Sequence, residues 1–233
     1  MSDNGLQIGL LIFPRMTQLD MTGPYEAFAR IPGAKVHLIW KTLDPLASDS
    51  GMPLLATTTF ADCPPLDVIC VPGGPGQVDL MDDQDVLDFV RRQGLQARYV
   101  TSVCTGALVL GAAGLLTGYN ATTHWASMDN LALLGAIPVA TRVCVDRNRV
   151  TGGGVTAGID FGLYLAGALA GREAAERIQL FLEYTPAPPF TAGSPETAPK
   201  EVVEQVSAAI APMLAKRKAA TLRAAQRLAT GAG

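Results

Sequence analysis

With two histidines and four cysteines, none of them in a C-x-x-C pair, the sequence offers no evident zinc-ligand set. No apolar run approaches the ~20 residues of a membrane helix. The opening MSDNGLQIGLLIFPR places an acidic residue before a short apolar run, the opposite of the positively charged start and longer run of a signal peptide. Charged residues make up only 17% of the chain and the net charge is −3, a balance that does not favour a polyanion. These absences predict a cytoplasmic protein with reduced thiols, binding neither membrane nor nucleic acid.

What is present is apolar mass. Of 233 residues, 48% are hydrophobic, enough for the core of one α/β domain or two small ones. LQIGLLIF (6–13), KVHLIW (35–40), DVICVP (67–72) and RYVTSV (98–103) read as strands covered on both faces. Between them, TGPYEAFARI (22–31) predicts a helix with Pro24 in its first turn. DDQDVLDFVRRQ (82–93) predicts another, acidic first and basic last, as a helix dipole favours. ATTHW (121–125) reads as a short strand leading into a helix around ASMDNLALL. RVCVDRNRVT (142–151) reads as a β-hairpin, and GGGVTAGIDFGLYLAGALAG (152–171) as glycines opening an apolar helix. The alternation predicts a parallel sheet with helices on both faces. Prolines keep 185–199 irregular. A last helix follows from about Lys200, with Val202, Val206, Ile210 and Met213 as an apolar stripe, Pro212 as a kink, and Lys216, Arg217, Lys218, Arg223 and Arg227 as a solvated basic face.

In this pattern Cys104 falls where a strand ends and the next helix begins at about Thr105, with Gly114 as its stop. Ligands of open parallel sheets sit beyond such strand ends. Free N–H groups there favour an anion, so the thiol pKa is expected to fall. A tight strand-to-helix turn also projects its side chain outward, and Gly106 removes a side chain that would crowd the turn. Cys104 is therefore read as a nucleophile, against the alternative of an inert core thiol. Cys70 and Cys144 lie mid-strand and Cys63 precedes a Pro-Pro pair, and these three are read as structural.

Candidate partners come from three other segments. VPGGPG (71–76) has neither dinucleotide-fingerprint spacing nor a phosphate-loop lysine. Gly73 and Gly74 either make a tight turn or offer amides to an anionic centre at Cys104. Asp20 either caps a helix or lies beside the Cys104 sulfur, where two acidic groups in contact would retain a proton between them. His124 is a base, a substrate contact or a hydrogen-bonded structural imidazole.

SVCTGALVLGAAGLLTG, ATTHWA, VPGG and TGGGVTAGIDFGL together resemble the ThiJ/PfpI superfamily, within the class I glutamine amidotransferase-like fold. LIFPRMTQLDMTGPYEAF, TFADCPPLDVI and the arm EYTPAPPFTAGSPETAP are similar to the bacterial isonitrile hydratases; the likeness runs from residue 6 to about 229. The resemblance implies a flavodoxin-like/Rossmann-like three-layer sandwich with a mainly parallel sheet, a β-hairpin and an extra C-terminal helix. It implies a catalytic domain over 1–184 and, over 185–233, an arm and kinked helix packed on that domain or on a second subunit. It further implies Cys104 as nucleophile, Asp20 as acid/base, Thr105 as a hydroxyl partner, Gly74 as an amide donor, a homodimer, and no metal or organic cofactor. The implied activity is hydration of an isonitrile to an N-substituted formamide.

Related chemistries fit less well. Peptidase-type members carry histidine directly after the cysteine, where this chain has Thr105, and glutaminase-type members need a histidine later than His124. A glyoxalase- or deglycase-like enzyme and a non-enzymatic redox sensor remain as alternatives. Fusion to an AraC-type DNA-binding region is not expected, since the chain runs on to Gly233 through a single helix.

Overall fold

A computed structural model describes residues 5–231. The leader expectation rests partly on residues 1–4, outside the described residues. In chain order the elements are β1 (Leu6–Leu11), α1 (Gln18–Phe28), β2 (Ala34–Trp40), β3 (Leu46–Ala47), β4 (Pro53–Leu54), β5 (Thr58–Thr59), β6 (Val68–Val71), α2 (Gln77–Leu80), α3 (Gln84–Gln96), β7 (Tyr99–Val103) and α4 (Gly106–Ala112). There follow β8 (Asn120–Ala121), a 3-10 turn (Trp125–Ser127), α5 (Met128–Leu133), β9 (Ile137–Pro138), β10 (Val143–Asp146), β11 (Arg149–Gly152), α6 (Ala157–Ala170), α7 (Arg172–Phe181) and α8 (Lys200–Thr230).

The apolar runs of β1, β6 and β7 lie side by side because both their faces are covered. The main sheet has seven strands in the order β10-β11-β7-β6-β1-β2-β5, parallel throughout except for the antiparallel β10–β11 hairpin. Helices α1, α6 and α7 cover one face; α2, α3, α4, α5 and α8 pack together on the other. The result is the expected three-layer α/β sandwich. Leaving β1, the chain pairs β2 on one side and later β6 on the other, so a topological switch point lies between β1 and β6. That is where an open α/β sheet forms its ligand crevice. Among the described residues no helix is long and apolar enough to cross a membrane.

Several local expectations need correction. α1 begins at Gln18, so Pro24 is internal rather than in the first turn. Its ring takes the place of a missing backbone donor and lies in the α1–α6 interface, where a Cβ at Gly158 would stand 2.7 Å from Pro24 Cδ. α3 runs one turn past its arginines to Gln96 and has no basic residue in the last turn. In 121–125 only Ala121 is in a strand; β8 pairs with β9 outside the main sheet, and His124 caps the 3-10 turn. Helix α8 buries Arg217, Ala220, Thr221 and Ala224, while Val202 and Val206 of the anticipated stripe are exposed. The basic face is not solvated as a whole: Arg223 and Arg227 pair with Asp82, and Arg217 is in the core.

Candidate active site

Four non-glycine residues have positive φ among the described residues; Arg15, Arg147 and Glu183 are exposed, and Cys104 (φ 52°) alone is buried. A left-handed cysteine is strained and needs its surroundings to hold it. The backbone does so on both sides: Cys104 N–H donates to the Gly152 carbonyl at 3.0 Å, and Thr123 Oγ1 donates to the Cys104 carbonyl at 2.7 Å. The turn is tight enough that a Cβ at Gly106 would lie 1.9 Å from the Val71 carbonyl oxygen. β7, the elbow and α4 can therefore follow one another without a gap only with glycine there.

Asp20 reaches the same place from the first turn of α1, with Thr17 rather than Asp20 as the N-cap. Its carboxyl is fully buried. Oδ2 accepts the Gly73 N–H at 2.8 Å, whereas Oδ1 is buried with no hydrogen-bond partner, and the nearby Cys104 thiol favours the charged carboxyl. Burial pushes the Asp20 pKa up to about 7, opposed by the Gly73 amide and reinforced by the charge of Asp49.

The Cys104 thiol is also displaced upward, first by burial and then by the neighbouring Asp20 carboxylate. This reverses the expected fall. The side chain is only 6% exposed, and α4 is a seven-residue helix whose first amides do not outweigh burial and a like charge. Asp20 thus gives up its proton first, near pH 7, and above that pH the two groups hold one proton between them.

Thr105 links the loops. Its backbone N–H and hydroxyl both favour the charged form of the sulfur. The same hydroxyl accepts the Gly74 N–H at 3.1 Å. Gly74 therefore acts on the sulfur through Thr105, and Gly73 acts on Asp20; neither amide is free to meet an anion directly. A Cβ at Gly73 would press within 2.5 Å of Thr105 N.

His124 accepts the Ala126 N–H on Nδ1 at 3.4 Å. Burial and the charge of Arg217 lower its pKa. With Nδ1 occupied as acceptor, the neutral ring carries its proton on Nε2 and is a donor rather than a base.

The residue missed from sequence is Arg217 of α8. It is 2% exposed, donates from Nε to Gln77 Oε1 at 3.0 Å and from Nη1 to Ser127 Oγ at 3.1 Å, and interacts electrostatically with Cys104. Only its place four residues before Thr221, on the buried side of α8, could have signalled this.

Among the described residues no cluster of three His, Cys, Asp or Glu side chains is placed to hold a metal ion. A cavity of about 870 Å³ opens at the opposite, N-terminal edge of the sheet, beside Gln7, His37 and Asp67, away from the elbow.

Residues 7–168 match the DJ-1/PfpI family. The chain is 60% identical over 223 residues to an isonitrile hydratase of Pseudomonas putida, covering 96% of this chain and 98% of that one. The crystal structure of a ThiJ/PfpI family protein from Pseudomonas syringae superposes with a TM-score of 0.91 at 46% identity, over 93% of this chain and 90% of that chain. The HTH-type transcriptional regulator GbdR of Pseudomonas aeruginosa is 29% identical over 78% of this chain and 51% of its own length. Sheet order, strained cysteine elbow and sequence match agree: the chain belongs to the DJ-1/PfpI family.

Proposed function

We propose that this chain is an enzyme that hydrates isonitriles, R–NC, to N-substituted formamides, acting in the cytoplasm through a cysteine-bound thioimidate. One observation carries the mechanism: a strained, buried Cys104 shares its surroundings with a buried Asp20 carboxyl oxygen that has no hydrogen-bond partner. The similarity to the P. putida isonitrile hydratase, near full length in both chains, supports the substrate class.

The isonitrile carbon carries a lone pair and an empty acceptor orbital, so it can take a nucleophile and a proton at the same atom. Sulfur forms the C–S bond, and the one proton held by Cys104 and Asp20 passes to that carbon, giving R–N=CH–S–Cys104. Asp20 is then ionised. It takes a proton from water as the water oxygen bonds to the carbon, and passes that proton to the nitrogen, leaving the hydroxyl proton to be taken up on collapse. Collapse breaks the C–S bond, releases R–NH–CHO and returns one proton to the pair. Water thus supplies the oxygen and both protons, one ending on nitrogen and the other replacing the one given to carbon, and the pair ends as it began. Thr105, donating to the sulfur, favours the thiolate on entry and on departure.

The protein acts as a homodimer in this reading, and the irregular arm 185–199 is the segment to pack against a second copy. Phe190 on the arm is 79% exposed, and Trp125, Val202 and Val206 line a cleft against arm residues Ala192–Pro195. A light-scattering mass of one subunit would count against the dimer.

Incubation with an aromatic isonitrile and mass spectrometry of the products tests the activity. Wild type should yield the formamide and Cys104→Ala none. Formamide from Cys104→Ala at the wild-type rate would end the covalent route. Lactate from methylglyoxal, without any formamide, would replace the substrate class.

A further inference from the structure

Among the basic residues of α8, Arg217 stands apart. Arg223 and Arg227 share the Asp82 carboxylate at the surface, but no carboxylate of the described residues pairs with Arg217. Its two partners, Gln77 and Ser127, are neutral. Gln77 directly follows the loop that carries Gly73 and Gly74, and Ser127 lies in the 3-10 turn capped by His124. α8 packs on α2, α4, α5 and the 3-10 turn, the elements around the elbow. The guanidinium is therefore clamped between two loops of the site by groups that neutralise none of its charge.

A cation taken out of water without a counter-ion is costly, so compensation has to come from within the pocket. The titratable groups there are Asp20 on α1, Cys104 on the elbow, Cys70 on β6, His124 before the 3-10 turn, and Asp49 acting on Asp20 from the β3–β4 hairpin. His124 is a neutral donor. Cys70 is fully buried and its thiol is pushed up to about 12 by burial. Asp49 is exposed and accepts the Thr17 hydroxyl at 2.7 Å. What is left is the charge on Cys104 and Asp20.

We propose that Arg217 is a positioning residue for the reaction: held in the core by Gln77 and Ser127, its guanidinium is the resident counter-cation of the one negative charge that Cys104 and Asp20 carry between them. This rests on the cysteine chemistry proposed above. A nearby cation attracts thiolate but not thiol, so Arg217 favours the arrangement with charge on sulfur and the proton on Asp20. That is the arrangement from which sulfur attacks and the carboxyl protonates the same carbon. The same attraction favours sulfur as leaving group when the adduct collapses. Gln77 Nε2, beside the guanidinium, is buried with no hydrogen-bond partner, which leaves a donor open next to the cation.

Alkylation of Cys104 by iodoacetamide, mapped by peptide mass spectrometry and followed against pH, reads this directly. Arg217→Met should raise the labelling midpoint by about one pH unit and slow labelling at pH 7 roughly tenfold. Arg217→Lys, which keeps the charge, should restore most of the rate. Gln77→Glu leaves Arg217 in place but supplies a competing carboxylate, and should shift the midpoint in the same direction as Arg217→Met. An unmoved midpoint in folded Arg217→Met, or in Gln77→Glu where Arg217→Met does not fold, overturns the proposal. Formamide production measured on the same samples separates the two readings. An Arg217-dependent midpoint in a wild type that hydrates no isonitrile sinks the substrate class and leaves the counter-cation standing. A formamide-producing Arg217→Met with a wild-type pH profile sinks the counter-cation alone.

Discussion

Asp20 and Gly73, which lie 53 residues apart, are joined by a 2.8 Å hydrogen bond from the Gly73 amide to Asp20 Oδ2. That bond fixes the carboxyl plane and leaves Oδ1 buried without a hydrogen-bond partner, beside the Cys104 thiol that influences the carboxyl. It also explains why a carboxyl at 0% exposure still ionises near neutrality: one backbone donor offsets part of the burial. The crevice between β1 and β6 thus holds a carboxyl and a thiol whose backbone is fixed on both sides, the arrangement the proposed chemistry uses.

The pH profile of kcat/KM follows from this pair. Below pH 7 both groups are protonated and sulfur has no base. Raising the pH through about 7, the Asp20 value, removes the first proton and creates the reactive monoanion. Activity should therefore rise through pH 7 and then level off, since the Cys104 thiol resists a second ionisation. Asp20→Asn should lower kcat/KM by about 10² or more and abolish that rise. A profile that falls across pH 6–8 would contradict the assignment.

How far the sequence shows this site depends on the distance over which each signal acts. Cys104, Gly106 and Gly114 are legible because strand, elbow and helix stop all lie within a dozen residues, and Gly114 does take φ +74° after α4. The parallel sheet is legible from apolar runs in β1, β6 and β7. The direction of the thiol shift is not, because local sequence shows the helix amides but not the burial or the carboxylate arriving from α1. Arg217 is hidden for a similar reason. A basic residue late in a helix fits a solvated, dipole-matched face, and only its bond to Gln77, 140 residues away, reveals the core. Pro24 misplaced the start of α1 because a proline mid-helix is costly unless an interface such as that with Gly158 accepts it.

Thr105→Val separates the hydroxyl from the shape of its side chain. The substitution leaves the Gly74 N–H buried without its acceptor, a loss of about 1–3 kcal/mol in unfolding free energy. It also removes a donor to the sulfur, so formamide production should fall roughly tenfold or more. Thr105→Ser should recover most of both. Urea unfolding alongside steady-state rates checks the pair of effects; a fully active, fully stable valine variant would remove Thr105 from the site.

Gly106→Ala probes the elbow itself. Its methyl would stand 1.9 Å from the Val71 carbonyl oxygen, and that oxygen belongs to a buried strand that cannot step aside cheaply. Destabilisation of about 3 kcal/mol or more is expected, with loss of soluble protein at 37 °C. A thermal melt within a degree or two of wild type would mean that the turn is looser than its contacts indicate.

Burial of Asp20 has a cost that stability measurements can read without any substrate. Its folded-state pKa of about 7 lies above the ordinary value of 3.8, so between those values the native protein binds a proton that the unfolded chain has released. Stability from this group is complete below about pH 3.8 and is lost as the pH rises through about 7. A shift of that size corresponds to up to about 4 kcal/mol, an upper figure because it is apportioned between two coupled groups. The opposing carboxylate, Asp82, has its pKa lowered by Arg223 and Arg227, so its contribution changes only below pH 4 and does not mask the trend. Asp20→Asn keeps the side-chain shape and cannot ionise. The lowered pKa values of His37 and His124 add stability in both proteins as the pH rises toward 6.5, so the wild-type urea midpoint should fall relative to that of Asp20→Asn from pH 5 to pH 8. If both proteins decline in parallel, the titrating group is elsewhere and Asp20 does not ionise near pH 7, which would remove the basis for the rise in activity through that pH.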